Sequence, residues 1–349
     1  MSKKNIAIAC QGGGSHTAFT AGVLHDLLLE GVHEEYNITE LSGTSGGAIC
    51  ATAVWYGLLK YAAGSKEPPY KWLVKIWEDN STQSVWEKSL NNFVINTVHL
   101  QDSGIIPSYP PNPYANQWIV DFLTMISPRK EYINLRELLE NHIDFDEIKT
   151  LVNSSSPTLL LGAVNILSGD FKAFDSRKGE IIVEAVMASA AIPNVFPAVH
   201  IGQDAYWDGL FSKNPPVTEF LTENMVRRPD EIWIIQINPK TRGSEPKTAQ
   251  DILDRRNELA GNLSLYQEVN FIELVNKWIR AGIFEGTPLA DEIKPIDIRW
   301  ISMSHDLAEE LDYSSKLNRD DAFIQKLMSN GRQQAGQFLR ILRGVPQPA

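Results

Sequence analysis

Apolar residues recur along the chain at two spacings. The run "NIAIAC" (5–10) is continuous and of strand length, and "HTAFTAGVLHDLLLEG" (16–31) has helical spacing and stops at a glycine. The pair repeats: "NITELSG" (37–43) reads as a second strand and "SGGAICATAVWYGLLKYAAG" (45–64) as a second helix. Strand, loop, helix, strand, turn, helix predicts an α/β layer fold with parallel strands. Residues 65–155 are less regular, with helices predicted over 67–80, 116–126 and 134–143 and a Pro-rich loop over 103–117. Strands are predicted again in 158–167, 171–176 and 231–239, with a strand end at "AYWDG" (205–209). Between them, "EIIVEAVMASAAI" (180–192) is expected to be helical up to Pro193.

After Pro239 the texture changes. A polar linker (240–250) leads into a long amphipathic segment (249–283), one strand (296–304) and a terminal amphipathic helix (319–342). The expected organisation is a core over 1–239 and a helix-rich C-terminal extension over 240–349. The extension's apolar stripes require a surface to pack on.

Composition narrows the function. Apolar residues make up 43% of the 349 and charged residues 21%, enough for a sizeable core. A formal net charge of −11 disfavours nucleic acid as a partner and argues against a polybasic grip on anionic lipid. It leaves a neutral or hydrophobic lipid contact open. Cys10 and Cys50 are too few for a disulfide framework and carry no metal-binding spacing. No apolar run reaches the roughly 18 residues that span a bilayer, and the N-terminal run is too short for a signal peptide. The expectation is a soluble, cytoplasmic protein.

Two glycine clusters carry the chemistry. "GTSGG" (43–47) is G-x-S-x-G at a strand-to-helix junction, the setting of a nucleophile elbow. Gly43, Gly46 and Gly47 leave room for the neighbouring backbone, and the helix start favours negative charge near Ser45. A nucleophilic serine needs an oxyanion hole. Gly12, Gly13 and Gly14, in a loop before a helix, can supply backbone N–H donors. A dinucleotide fingerprint would need Gly where Thr17 stands, and a P-loop would need Gly-Lys-Ser/Thr. The serine also needs a base. Asp208, in "AYWDGLFSKNPP", ends an apolar run in a turn. Among the histidines His25, His33, His99, His142, His200 and His305, only His305 fits the chain order of a Ser-Asp-His triad.

"QGGGSHTAFTAGVL", "SGTSGGA", "ASAAIPNVFPAV" and "YWDGLFSKNPP", in this order, resemble the patatin-like phospholipase family. The tail "DYSSKLNRDDAFIQKLMSNGRQQAGQFL" is similar to a bacterial subgroup with a C-terminal extension. The resemblance implies a three-layer α/β/α fold with a mostly parallel central sheet. It implies Ser45 as nucleophile, Asp208 as base and Gly12–Gly14 as the oxyanion loop, acting on phospholipid or another acyl ester without metal or organic cofactor. The family pattern is departed from twice: His16 and Thr17 follow the glycine loop where Arg or Lys and then Gly are usual, and Leu210 replaces a second Gly after Asp208. His16 is expected to be a neutral hydrogen-bonding support for the loop. An esterase, thioesterase or acyltransferase on the same fold, or a binding protein that has lost turnover, remain as alternatives. Residues 91–126 read either as a lid or acyl funnel over Ser45, or as core or subunit contact. Transient membrane-surface contact is expected; the oligomeric state is not legible.

Overall fold

In the computed structural model the described residues are 3–107, 112–193, 195–222, 228–288, 290 and 293–345. Eight strands form one sheet: β1 Asn5–Cys10, β2 Asn37–Gly43, β3 Thr158–Asn165, β4 Phe171–Asp175, β5 Val199–Ile201, β6 Asp204–Asp208, β7 Glu231–Gln236 and β8 Asp297–Ser302. Their spatial order is β5-β6-β3-β2-β1-β7-β8, with β4 also paired to β3. The run from β3 to β8 is parallel; β4, β5 and β6 add antiparallel pairs at the other side.

The helices that matter here are α1 Ala18–Leu29, α2 Gly46–Ala62, α3 Lys71–Asn80, α4 Val85–Asp102, α5 Gln117–Ile126, α6 Val183–Ser189, α7 Ala249–Arg280 and α8 Asp321–Leu342. Side chains alternate across a strand, so each strand feeds two cores. Ile6, Ile8, Leu41, Leu159, Leu161, Trp233 and Ile235 share a core with α1, α2 and α8. Ala7, Ala9, Leu160, Ile232 and Ile234 face the opposite way, onto Leu265, Val269 and Ile272 of α7. The result is the expected three-layer α/β/α arrangement, with a helical C-terminal region.

That C-terminal region is built into the sheet. β8 pairs in parallel with β7 from Glu231↔Asp297 to Gln236↔Ser302. α8 lies close against α1, where a Cβ on Gly22 would fall 2.1 Å from Met328 O and one on Gly331 2.2 Å from Phe19 O. Helix limits differ from expectation in several places, two of which bear on the site and its surroundings. α4 was not anticipated; its N-terminus is a capping box in which Ser84 Oγ accepts from Glu87 N and Glu87 reaches back to Ser84 N. α6 is shorter than 180–192, starting at Val183 and ending at Ser189, where the chain turns to reach the site.

Candidate active site

Ser45 lies between β2 and α2 at φ 57° and ψ −132°. Among the described residues it is the only non-glycine with positive φ. Such backbone costs about 1–3 kcal/mol and persists where neighbours over-determine it. The neighbours here are specific. Ser45 N–H donates to both Ser189 O (3.0 Å) and Ser189 Oγ (3.2 Å), and Ser189 Oγ–H donates to Gly162 O at 2.6 Å. Thr44 Oγ1–H donates to Lys213 O. The flanking glycines sit against backbone: a Cβ on Gly43 would lie 2.4 Å from Gly47 O, one on Gly46 2.8 Å from Gly14 O, and one on Gly47 2.3 Å from Cys10 O.

Asp208 ends β6 and is fully buried. It pairs with Ala163 of β3, two residues beyond Leu161, which faces Gly43 at the end of β2. The sheet thereby brings Asp208 to the same end as Ser45. Oδ1 accepts the Leu210 N–H at 2.8 Å. That donor is backbone, so Leu210 in place of glycine leaves the carboxylate anchored. Oδ2 is buried without a partner of full hydrogen-bond geometry. Burial raises the Asp208 pKa from 3.8 to about 7, against the opposing pull of the Leu210 N–H and the Ser45 hydroxyl. No hydrogen bond of full geometry joins the Ser45 hydroxyl to Oδ2. Catalytic hydrogen bonds commonly tighten only once substrate is bound.

The glycine loop faces the serine. A Cβ on Gly12 would sit 2.5 Å from Thr44 O and 2.8 Å from Ser45 Cβ, so only glycine permits this approach. The Gly12 N–H differs from expectation: it donates to Asn214 Oδ1 at 2.7 Å and is not open to a ligand. Among the described residues the N–H groups of Gly13 and Gly14 meet no acceptor. Gly14 has φ 56° and starts the 3-10 turn Gly14–Thr17.

His16 is buried with Nε2 2.8 Å from Ser315 Oγ. Burial, and secondarily the Lys316 charge, hold its pKa well below 6.5. It is a neutral imidazole tied to the C-terminal region. His305 follows β8, three strand positions from β2 in the sheet, about 14 Å at ~4.8 Å per strand, and its side chain is exposed. The fold does not bring it to Ser45. A cavity of about 20 Å³ behind the glycine loop, bordered by His16, Asn238, Glu258 and Lys316, is not lined by Ser45 or Asp208 and is room for one water. Among the described residues no group of three His, Cys, Asp or Glu side chains is disposed to hold a metal.

Sequence reasoning missed four supports. Ser189 fixes the serine's backbone, and Asn214 takes up Gly12. Gln11 accepts from Ile237 N and Asn238 N and donates to Gly261 O of α7, while Ser315 holds His16. All four lie inside quoted motifs, Gln11 in the glycine loop, Asn214 after Asp-Gly, Ser189 in "ASAAIPNVFPAV" and Ser315 in "DYSSKL", but the motifs do not say which backbone or side chain each one holds.

A strained serine at a strand–helix turn, a buried carboxylate at the same end of the sheet and a glycine loop with two open N–H groups come together on an α/β/α fold. A family model described as patatin-like phospholipase matches residues 8–221, and the chain belongs to that family of lipid acyl hydrolases. VipD from Legionella pneumophila, a solved structure, aligns with a TM-score of 0.43 at 12% identity, over 97% of this chain and 67% of that one. A likeness of that size decides nothing about function. No curated protein matches the chain.

Proposed function

We infer that this chain is a serine acyl hydrolase that cleaves lipid acyl esters through a Ser45–Asp208 dyad. The observation that carries the reading is the buried Asp208, its Oδ2 unpartnered, at the same end of the sheet as a serine in a strained turn; burial raises the Asp208 pKa to about 7. As Ser45 Oγ attacks the ester carbonyl carbon, its proton passes to Asp208 Oδ2. The oxyanion accepts from Gly13 N–H and Gly14 N–H, with the α2 N-terminus adding a favourable field. Collapse breaks the ester C–O bond, and Asp208 returns the proton to the leaving alcohol. Water then attacks the acyl-Ser45 carbonyl while Asp208 takes its proton, and the released serine oxygen is reprotonated.

A fluorophosphonate probe tests the activated serine. Wild type should be labelled at Ser45, identified by peptide mass spectrometry, and Ser45→Ala should be unlabelled. A folded wild type that resists labelling and hydrolyses none of a panel of acyl esters would instead indicate a binding protein that has lost turnover.

A further inference from the structure

Helix α5, "QWIVDFLTMI", buries none of its residues. Trp118, Phe122 and Met125 stand at i, i+4 and i+7, one face of the helix, and are 67%, 51% and 72% exposed. Ile119, Val120 and Ile126 are exposed as well, and the preceding α4 and its exit add exposed Phe93 and Ile105. Soluble proteins rarely expose large apolar side chains along a whole helix face without a use. The expectation that 91–126 packs as ordinary core is not met at α5. Residues 108–111 of the Pro-rich loop lie outside the described residues.

This surface is connected to the site. Tyr114, just before α5, accepts the Ala198 N–H on its hydroxyl at 3.0 Å. Ala198 belongs to the segment leaving α6, the helix whose Ser189 holds Ser45, and that segment exposes Val195 and Phe196. Phe211, three residues after Asp208, is exposed too.

Charge selects the occupant. From 85 to 126 the chain has one Lys, Lys88, against Glu87, Asp102 and Asp121, and the whole chain is at −11. Anionic membranes recruit proteins through Lys and Arg clusters, which this face lacks. We propose that α5 with the end of α4 is a docking face that inserts its apolar side chains into an electrically neutral, zwitterionic lipid surface. Docking there presents acyl esters to Ser45, and in that respect the proposal rests on the lipid-hydrolase reading above.

The test uses the full chain carrying Ser45→Ala, so that docking is read without turnover. Partition is measured by co-sedimentation with phosphatidylcholine vesicles, with and without phosphatidylglycerol, at low and high salt. Binding to pure phosphatidylcholine is expected, unaffected by salt and no stronger with the anionic lipid. Trp118→Ser/Phe122→Ser/Met125→Ser in the same background should lower partition at least about tenfold, since interfacial binding scales with inserted apolar area. All three side chains are exposed, and an unchanged Tm and far-ultraviolet spectrum confirm folding. Absence of partition onto neutral vesicles, equal partition by the triple variant, or binding only to anionic vesicles at low salt would overturn the proposal. So would a vesicle-free dimer in sedimentation velocity that the triple substitution dissolves. Because the readout is binding, failure of the hydrolase reading would appear separately, in wild-type ester turnover.

Discussion

At the scale of single residues, the chemistry turns on a carboxyl group held against its own solvation. In the proposed dyad Asp208 must be ionised to accept the Ser45 proton, so kcat/KM for a soluble ester should rise with pH and level off above about 7. A pH-rate profile checks this; a plateau reached already at pH 5 would contradict it. The same shift has a stability consequence. A pKa raised from 3.8 to about 7 means the fold is favoured by protonation, fully so below 3.8, and loses that stabilisation as pH rises through about 7. Asp208→Asn should therefore gain stability over wild type between about pH 4 and pH 7, by on the order of 2–4 kcal/mol at the plateau, visible as a pH-dependent rise in Tm. An increment equal at pH 4 and pH 8 would count against a raised pKa. Gly13 supplies a second residue-scale prediction. A Cβ there would meet Ile237 Cγ2 at 2.6 Å, so Gly13→Ala must displace either the loop or the Ile237 side chain packed beneath it. The expected loss is about 100-fold in kcat with KM changed far less, the range for a lost oxyanion donor. Steady-state kinetics alongside Tm separates this from unfolding.

At the scale of elements, the strand–turn–helix units that bear the chemistry were legible in sequence because each obeys a local rule. β1 is an apolar run ahead of the glycine loop, β2 is a short segment closed by a glycine, and α1 and α2 have helical periodicity. β5 escaped because three residues make no pattern, and α4 because its apolar spacing is weak, although Ser84-x-x-Glu87 spells a capping box. The long-range pairing of β8 with β7 has no local signature. It is fastened by Glu231, buried in β7, which accepts from Lys4 of the N-terminal segment, Trp233, and Arg299 of β8. Burial alone would raise the Glu231 pKa, but hydrogen bonds from Arg299, Lys4 and Trp233 outweigh it and bring the value to about 2. The stabilisation is present above 4.5 and is lost as pH falls through about 2. Glu231→Gln should thus cost about 2 kcal/mol at pH 7, below the ~3–5 for a fully buried pair because Lys4 is exposed, and less at pH 3. Urea unfolding of both proteins at the two pH values checks the sign; an equal cost at each would show that charge is not the cause.

At the scale of the whole molecule, the site is a product of distant segments. Ser45 and Asp208 are 163 positions apart in sequence and meet because β2, β3 and β6 are adjacent in the sheet. The glycine-loop, elbow and Asp-Gly motifs announced these two residues and the glycines. They did not announce that Gly12 is spent on Asn214, that α7 holds Gln11, or that Ser315 holds His16, since these contacts span more than 200 residues and depend on the finished fold. The same topology separates Ser45 from His305, which chain order alone had left as a rival base. The most direct measurement is kcat of purified, folded Asp208→Asn and His305→Ala on one soluble acyl ester. The dyad predicts a loss of about 1,000-fold or more for Asp208→Asn, near that of Ser45→Ala, and most of the wild-type rate for His305→Ala. An active Asp208→Asn beside an inactive His305→Ala would contradict the dyad and assign the base to histidine.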